Sequence, residues 1–458
     1  MIRRAVAIGL LSAVVGLQPV GGPSQAAHAP ARPNVLIILT DDQRYDMMQV
    51  MKKTRQWFGT DGTTYPNSFA TTPLCCPSRA SIMTGQYNHN NNVETNLDAE
   101  RMDQRSTMQR YLQDAGYRTS IVGKYLNSWP FDPPYFDDWA VFRAREGGYK
   151  NAFFNINGSH TRVKRYSTDF IGARSVQLLR SFEKDDRRPW FLYVAPFAPH
   201  APYEPSKKFK KTKVPKLKRN PAMRETDRTD KPQWVQDKRP KRKKGHKVWT
   251  LQQRMMLSVD RMVHRLLTTL DKLNERGPTL VIFLSDNGFT LGEHGLQQKH
   301  SPYTASVRIP FMARFPGHIP PGRVDQRVVG NIDIAPTVYD AAGITPDEEH
   351  PVDGRSLLAP AARDRILLEY HRREDRAVPT WSSTRTPTYQ YTEYYSEDSQ
   401  EIIFREYYDF TTDPWQLTNL LADGDPTNDP HAADLAAYSI RLHRDRRCQG
   451  TQGADACP

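Results

Sequence analysis

Four cysteines, Cys75, Cys76, Cys448 and Cys457, are all that the 458 residues contain. So small a number excludes a disulfide-dense scaffold, and the spacing excludes a four-thiolate zinc site made of paired Cys-x-x-Cys. After Leu17 no apolar run is long enough to span a bilayer, so no membrane anchor is expected. No internal repeat is visible. What remains is ordinary globular material: 38% hydrophobic residues with 18 Phe, 21 Tyr and 8 Trp. That is enough for a sizeable core and, at about 100 to 200 residues per domain, for two or three compact units.

Negative charge is in deficit, with 51 Asp+Glu against 64 Lys+Arg. The excess is local. Residues 207–247 hold 18 Lys+Arg and 4 Asp+Glu, so this segment alone accounts for the net +13. Pro215, Pro221, Pro232 and Pro240 interrupt it, and it reads as a long basic loop. Such a run is either a solvated face or a border of the site that draws in polyanions such as sulfated polysaccharide, with Trp234 and Trp249 as possible stacking surfaces for sugar rings. Nucleic acid is not expected as a partner.

The N-terminus has Arg3-Arg4, an apolar run from Ala5 to Leu17, and Ala27-His28-Ala29 before Pro30. These are the three parts of a secretory signal peptide over residues 1–29, which predicts a secreted, periplasmic or extracellular protein. The arginine pair fits either a twin-arginine signal or an ordinary charged n-region. In an exported chain Cys448 and Cys457 are expected to close a small C-terminal disulfide loop.

Beyond Pro33, short apolar strands alternate with amphipathic helices. Strands are expected at Val35 to Leu39, Thr119 to Val122, Trp190 to Val194 and Leu280 to Leu284; helices at Thr107 to Ala115, Ser167 to Phe182, and along Met255, Val259, Met262, Leu266, Leu270 and Leu273. This alternation predicts an α/β fold with a mostly parallel sheet covered by helices. After about Leu358 the Tyr-rich segments Tyr389 to Tyr395 and Ile402 to Phe410 predict a smaller C-terminal α+β unit, residues 359–458, with an antiparallel sheet; residues 30–358 form the main domain.

Ligands bind beyond the carboxyl ends of such strands. There the sequence puts Asp41-Asp42, Lys124, His200 and Asp286-Asn287. Side-chain oxygens from Asp41, Asp42, Asp286 and Asn287 suit a hard cation, calcium or magnesium. Between them lies Cys75-Cys76-Pro77-Ser78-Arg79, with Pro77 placed to start a helix and Cys75 at its N-terminus, where an anion is favoured.

Cys75-x-Pro77-Ser78-Arg79 followed by Thr84-Gly85 resembles the sulfatase signature in which the cysteine becomes formylglycine. Further blocks resemble the family in order: Pro33-Asn34 to Gln43, Gly123-Lys124, Pro199-His200-Ala201-Pro202, Asp286-Asn287-Gly288, Gly292-Glu293-His294-Gly295, Lys299, and Arg308-Ile309-Pro310. The wording around Cys75 and in Gly123-Lys124-Tyr125-Leu126-Asn127 is similar to the N-acetylglucosamine-6-sulfatase and extracellular heparan sulfatase branch. The resemblance implies an alkaline-phosphatase-like fold and hydrolysis of sulfuric esters of a carbohydrate or aryl alcohol. It implies maturation by a formylglycine-generating enzyme that converts Cys75 to 3-oxoalanine, and one calcium ion held by Asp41, Asp42, residue 75, Asp286 and Asn287. Arg79, Lys124, His200 and Lys299 become catalytic, the last three also binding substrate. Many sulfatases carry histidine where this chain has Leu126, which leaves the second proton acceptor open; His294 and His89 are the candidates. A phosphonate or phosphate monoester hydrolase with the same nucleophile and a non-catalytic polyanion-binding protein are the alternatives.

Overall fold

The run Val35 to Leu39 has no polar side chain, so a strand made of it must be covered on both faces. In a computed structural model, which describes residues 32–143, 148–184, 187–239, 242–360, 362–373, 377–397 and 400–458, it is β1 (Asn34–Thr40), buried throughout. The expected signal peptide lies outside the described residues. Four more strands join β1 in parallel: β2 (Arg118–Gly123), β3 (Asp138–Phe142), β4 (Trp190–Ala195) and β5 (Thr279–Ser285), in the order β5-β1-β4-β2-β3. An antiparallel strand, β6 (Phe311–Arg314), flanks β5, and a hairpin of Ala152–Ile156 and Ser159–Val163 flanks β3; two short strands complete a ten-stranded sheet.

Alternate residues of the strands enter separate cores, as period-two geometry requires. Val35, Ile37 and Leu39 pack with Ala80, Met83, Leu112 and Val338, from α2 (Cys75–Thr84), α3 (Met108–Asp114) and α6 (Ile334–Ala342). Leu36 and Ile38 pack with Phe58, Ile171 and Val259, from α1 (Lys52–Asp61), α4 (Ser167–Phe182) and α5 (Arg242–Leu273). The two layers explain why the apolar runs are continuous rather than alternating.

Helix α5 corrects the reading of residues 207–247 as loop throughout. Arg242 to Lys247 are helical, because the apolar positions continue upstream through Val248 and Trp249 while Lys244 and Lys247 face solvent. The segment also holds a turn of 3-10 helix at Pro221–Met223 and a short helix at Gln233–Gln236. Trp234 and Trp249 are 8% and 2% exposed, so neither offers a ring to a sugar. Both anchor the segment instead: the Trp249 indole donates to the Pro215 carbonyl at 2.9 Å, and Trp234 packs among Val235, Leu296 and Tyr394.

Residues Arg32–Pro458 form one compact unit. Within it β7 (Ile366–Tyr370), β8 (Thr380–Arg385), β9 (Tyr389–Tyr395) and β10 (Ile402–Asp409) make a separate antiparallel sheet. One face packs on Phe69, Leu74 and Val307, the other near Leu442 of α7 (Ala432–Asp445) and the Cys448–Cys457 disulfide. Among the described residues no helix is long and apolar enough to cross a membrane.

Candidate active site

Register brings the strand ends level: Thr40 pairs with Ser285, and Gly123 with Ala195. The next residues of each chain, Asp41-Asp42, Asp286-Asn287 and Lys124, therefore emerge side by side. Asp42 has φ 63°, a left-handed conformation that Asp tolerates, and its N–H is held by Asp286 Oδ1 at 3.0 Å. Gly123 has φ 118°, and a Cβ there would stand 2.0 Å from the Ala195 carbonyl oxygen. Only glycine lets the chain pass β4 so closely before Lys124.

Helix α2 begins at Cys75 without a side-chain cap, and every residue in it is buried. The positive end of its dipole lies at Cys75, while the Cys76 N–H is held by Asn96 Oδ1 at 2.9 Å. Gly85, at φ 72°, closes the helix in the left-handed conformation. The hydroxyl of Ser78 donates to the Asp286 carbonyl and accepts from Asn331 Nδ2 at 2.9 Å, tying helix to strand loop rather than reaching the site's interior.

Around Cys75 Sγ lie Lys299 Nζ at 2.7 Å, Asp41 Oδ1 at 3.3 Å and Asp42 Oδ1 at 3.8 Å. Lys124 Nζ meets Asp41 Oδ2 at 2.6 Å, and Lys299 also donates to Asp42 Oδ1. The Arg79 guanidinium, fully buried, donates to Asp286 Oδ2 and to the Lys124 carbonyl, both at 2.9 Å. His200 Nε2 is 3.7 Å from Asp42 Oδ2, while its Nδ1 faces the Ala201 carbonyl at 2.5 Å. A carbonyl can only accept, so Nδ1 carries hydrogen and Nε2 is the nitrogen turned to the cluster.

Ligand atoms of Asp41, Asp42, Cys75 and His200 all fall within 4.8 Å of one another. Asn287 Nδ2 donates to Asp42 Oδ1 at 2.8 Å, and its Oδ1 is buried with no hydrogen-bond partner among the described residues. The orphaned amide oxygen of Asn287 beside the Asp41 and Asp42 carboxylates offers oxygen donors that could hold a hard cation, with Cys75 and His200 also at ligand distance from the two carboxylates. Asp286 meets the cluster with its carboxylate engaged by Arg79 and the Asp42 N–H, and His200 stands among the potential ligands in its place.

The electrostatics are tightly balanced. Burial opposes the Asp41 charge, but Lys124, His200, Arg79 and Lys299 outweigh it and hold Asp41 well below the ordinary carboxylate range. Burial and then Asp41 push Asp286 up to about 6. Burial, reinforced by Asp41, pushes the Cys75 thiol above its ordinary value despite the two lysines, so an unmodified Cys75 stays protonated and is a poor nucleophile at neutral pH. Asp41, Asp42 and Asp286 offset Lys124, Lys299 and Arg79, so a divalent ion held there would leave the site net positive.

Two expected histidines are not brought to this cluster. Both ring nitrogens of His89 are occupied, Nδ1 by Glu369 Oε2 at 2.9 Å and Nε2 by the Cys448 carbonyl at 3.1 Å. His294 Nδ1 sits 3.0 Å from Glu225 Oε2, with its ring on Tyr303 at 4.2 Å. Leu126 is buried in the core and supplies no acceptor. Sequence reasoning also missed Tyr149, whose hydroxyl holds the His200 carbonyl at 2.6 Å and the Phe197 carbonyl at 3.1 Å. It stands in no motif, so nothing in its neighbours marks it.

The His89 ion pair has a stability signature. Despite burial, Glu369 and the Cys448 carbonyl raise His89 to about 9, and His89 holds Glu369 at about 2. A raised histidine stabilises fully below its unfolded pKa near 6.5 and loses that contribution as pH climbs through 9. The carboxylate's contribution is present above about 4.5 and lost as pH falls through 2. Thermal midpoints are therefore expected to show a wild-type advantage of about 3 kcal/mol over His89→Gln at pH 6 that has vanished by about pH 10. An advantage independent of pH would refute the assignment.

The sulfatase family profile matches residues 33–344, and a profile for the C-terminal region of N-sulphoglucosamine sulphohydrolase matches 292–437. The chain belongs to the sulfatase family. It is 33% identical over 374 residues to an extracellular sulfatase Sulf-1 homologue of Caenorhabditis elegans, covering 77% of this chain and 52% of that protein. It is 28% identical over 491 residues to the N-acetylglucosamine-6-sulfatase of Homo sapiens, covering 93% and 86%. Among solved structures, BT4656 in complex with its substrate D-glucosamine-2-N,6-O-disulfate superposes with a TM-score of 0.73 at 25% identity, covering 90% of this chain and 97% of that one. The present chain thus spans about half the length of the nematode relative and most of the human one.

Proposed function

We propose that the protein is a sulfuric ester hydrolase that releases inorganic sulfate from a sulfated carbohydrate, with residue 75 as formylglycine and one calcium ion, after export from the cell. The observation that carries this reading is the burial of Cys75 between Lys299, Asp41 and the start of α2, where a protonated thiol has no chemistry to perform and an oxygen nucleophile does. Residues 30–358 supply every group in the scheme; residues 359–458 form the C-terminal subdomain.

Asp41, Asp42, Asp286, Asn287 and the side chain at position 75 would hold the ion, with His200 close by. When bound, calcium polarises the attacking oxygen and offsets negative charge on the sulfate. Once converted and hydrated, residue 75 supplies two hydroxyls, one to attack sulfur and one whose deprotonation expels sulfate. Arg79 fixes the Asp286 carboxylate and the Lys124 backbone, and so holds helix α2 against both strand ends. Lys124 and Lys299 stand where sulfate oxygens enter, and their ammonium groups neutralise charge that grows on those oxygens in the transition state. His200 in its imidazolium form, with Nδ1–H directed to Ala201, gives the Nε2 proton to the departing alcohol oxygen and is left as the neutral Nδ1–H imidazole.

Mass spectrometry of the peptide spanning Cys75, from protein made alongside a formylglycine-generating enzyme, is expected to show sulfur and two hydrogens replaced by one oxygen. A quantitative free thiol in protein that turns over aryl sulfates would refute the nucleophile. Faster turnover of an aryl phosphonate than of the matching aryl sulfate would point to the phosphonate hydrolase.

A further inference from the structure

We infer that the basic segment and the outward face of α5 form a second binding surface, which holds the unreacted remainder of a sulfated polysaccharide while one unit occupies the site at Cys75. This rests on the hydrolase reading for the nature of the chain, and on the following geometry for its path.

A charge run that is merely solvated has no reason to be fastened down. This one is. Ser206 Oγ meets Ser258 Oγ of α5 at 3.0 Å, the Arg261 guanidinium lies 5.6 Å over the Phe209 ring, and Arg254 Nε donates to the Thr212 carbonyl at 3.0 Å. Gln253 and Trp249 both donate to the Pro215 carbonyl, at 2.8 and 2.9 Å, and Leu217 enters the core. The segment therefore runs antiparallel along the helix from residue 261 back to residue 249. Its apolar and backbone groups turn inward, while Lys207, Lys208, Lys210, Lys211 and Lys213 remain exposed.

Helix α5 extends the same surface in both directions. Lys244, Lys247, Arg254, Arg261 and Arg265 recur at steps of three, four and seven, which puts them on one face. From Lys244 to Arg265 that face is about 32 Å long at 1.5 Å per residue. Arg180, His264, Arg265 and Lys272 then line a cleft of about 210 Å³ between α4 and α5. Of the nearby carboxylates, Asp169 pairs with Arg261 within the strip, while Glu204 is engaged with Lys150, Asp260 inward on Thr54, and Asp271 with Arg276. At an ionic strength near 0.15 M the screening length is about 8 Å, so cations this densely set act as one field.

The strip starts at the reaction site. Gln252 of α5 reaches the Pro199 carbonyl beside His200 at 3.5 Å, and the chain passes from His200 through Tyr203 to Ser206 and onto the helix. A polymer leaving the site past His200 meets the lysines at once. The chemistry favours a sulfated glycan over nucleic acid. Along the strip the described aromatic rings are covered, Phe209 by Arg261 and Lys208 and Trp249 by burial, so no platform is offered to stacking bases.

The test compares full-length protein with a variant carrying Lys207→Ser, Lys208→Ser, Lys210→Ser and Lys211→Ser, and with a second carrying Lys247→Ser and Arg265→Ser. Heparin binding is measured on the Cys75→Ala background, where it does not depend on turnover. Both variants are expected to bind heparin at least about tenfold more weakly at 0.15 M salt, and with a shallower salt dependence. In active protein, kcat/KM on a sulfated polysaccharide falls in step while that on a small aryl sulfate stays within about twofold. Unchanged heparin binding by both variants would overturn the surface. Tighter binding of double-stranded DNA than of heparin would overturn its assignment to sulfated glycan. A parent protein without aryl sulfate turnover counts against the hydrolase alone, because the heparin measurement is decided without it.

Discussion

Cys75→Ala is expected to lower turnover of a sulfate ester by about 10⁵-fold or more, the scale on which loss of a nucleophile is felt in hydrolases. Residue 75 is the centre of the cluster, and its neighbours have no substitute for it. Lys299 and Lys124 are cations engaged with Asp42 and Asp41, and the carboxylates are held as anions by those same lysines. Alanine fits the position without strain, since it removes a single sulfur at the start of a helix, so the thermal midpoint should change little. The pairing of lost turnover with an intact fold is the diagnostic result. Activity within tenfold of wild type would remove the nucleophile from the scheme and, with it, the reason for the buried lysines.

Calcium added to protein stripped by a chelator is expected to raise the thermal midpoint, with a stabilisation of about 2.7 kcal/mol at a concentration one hundred times Kd. The readout needs no substrate and no conversion of Cys75. It follows from the unpartnered Asn287 oxygen and from Asp286, whose carboxyl burial and Asp41 lift to about 6; a cation relieves both. Asn287→Leu removes that oxygen and should weaken calcium binding, and because it also removes the Nδ2 donor of Asp42 the metal-free midpoint is expected to fall as well. Chelation should lower hydrolysis about 100-fold or more, the rate equivalent of several kcal/mol of charge stabilisation. A midpoint indifferent to calcium would show that the oxygen cluster is held by its lysines alone.

The strand ends could be read directly because buried parallel strands are unbroken apolar runs, and what interrupts them is what the site uses: Asp41-Asp42 after Leu39-Thr40, Lys124 after Val122-Gly123, Asp286-Asn287 after Leu284-Ser285. Register did the rest. The start of α5 was hidden because Arg242 to Lys244 present no apolar periodicity of their own, and only packing by Val248 and Trp249 extends the helix backwards over them. Trp249 looked like a sugar platform for the same reason, since exposure is set by neighbours such as Pro215 and Leu217 that spacing does not announce. The histidines failed differently. His89 and His294 stand beside motif residues in the chain, but their partners Glu369, the Cys448 carbonyl and Glu225 are far away in sequence, and side-chain partnership at such range carries no local trace. Tyr149 is the converse, a residue with no motif that holds His200 in place.

Helix α2 sets an order of events for the making of this protein. All ten of its residues are out of contact with solvent, and Cys75 lies at 0% exposure beneath Lys299 and against the first strand loop. On the proposed conversion, an enzyme acting on Cys75 would need access to the thiol and its neighbours, and the folded chain buries all of them. If residue 75 is converted as proposed, the step would fall between synthesis and closure of the sheet, and a chain that folded first would keep its buried thiol. Under that proposal the yield of competent protein would be a race between two rates, and slowing the folding, not adding more converting enzyme afterwards, would recover it.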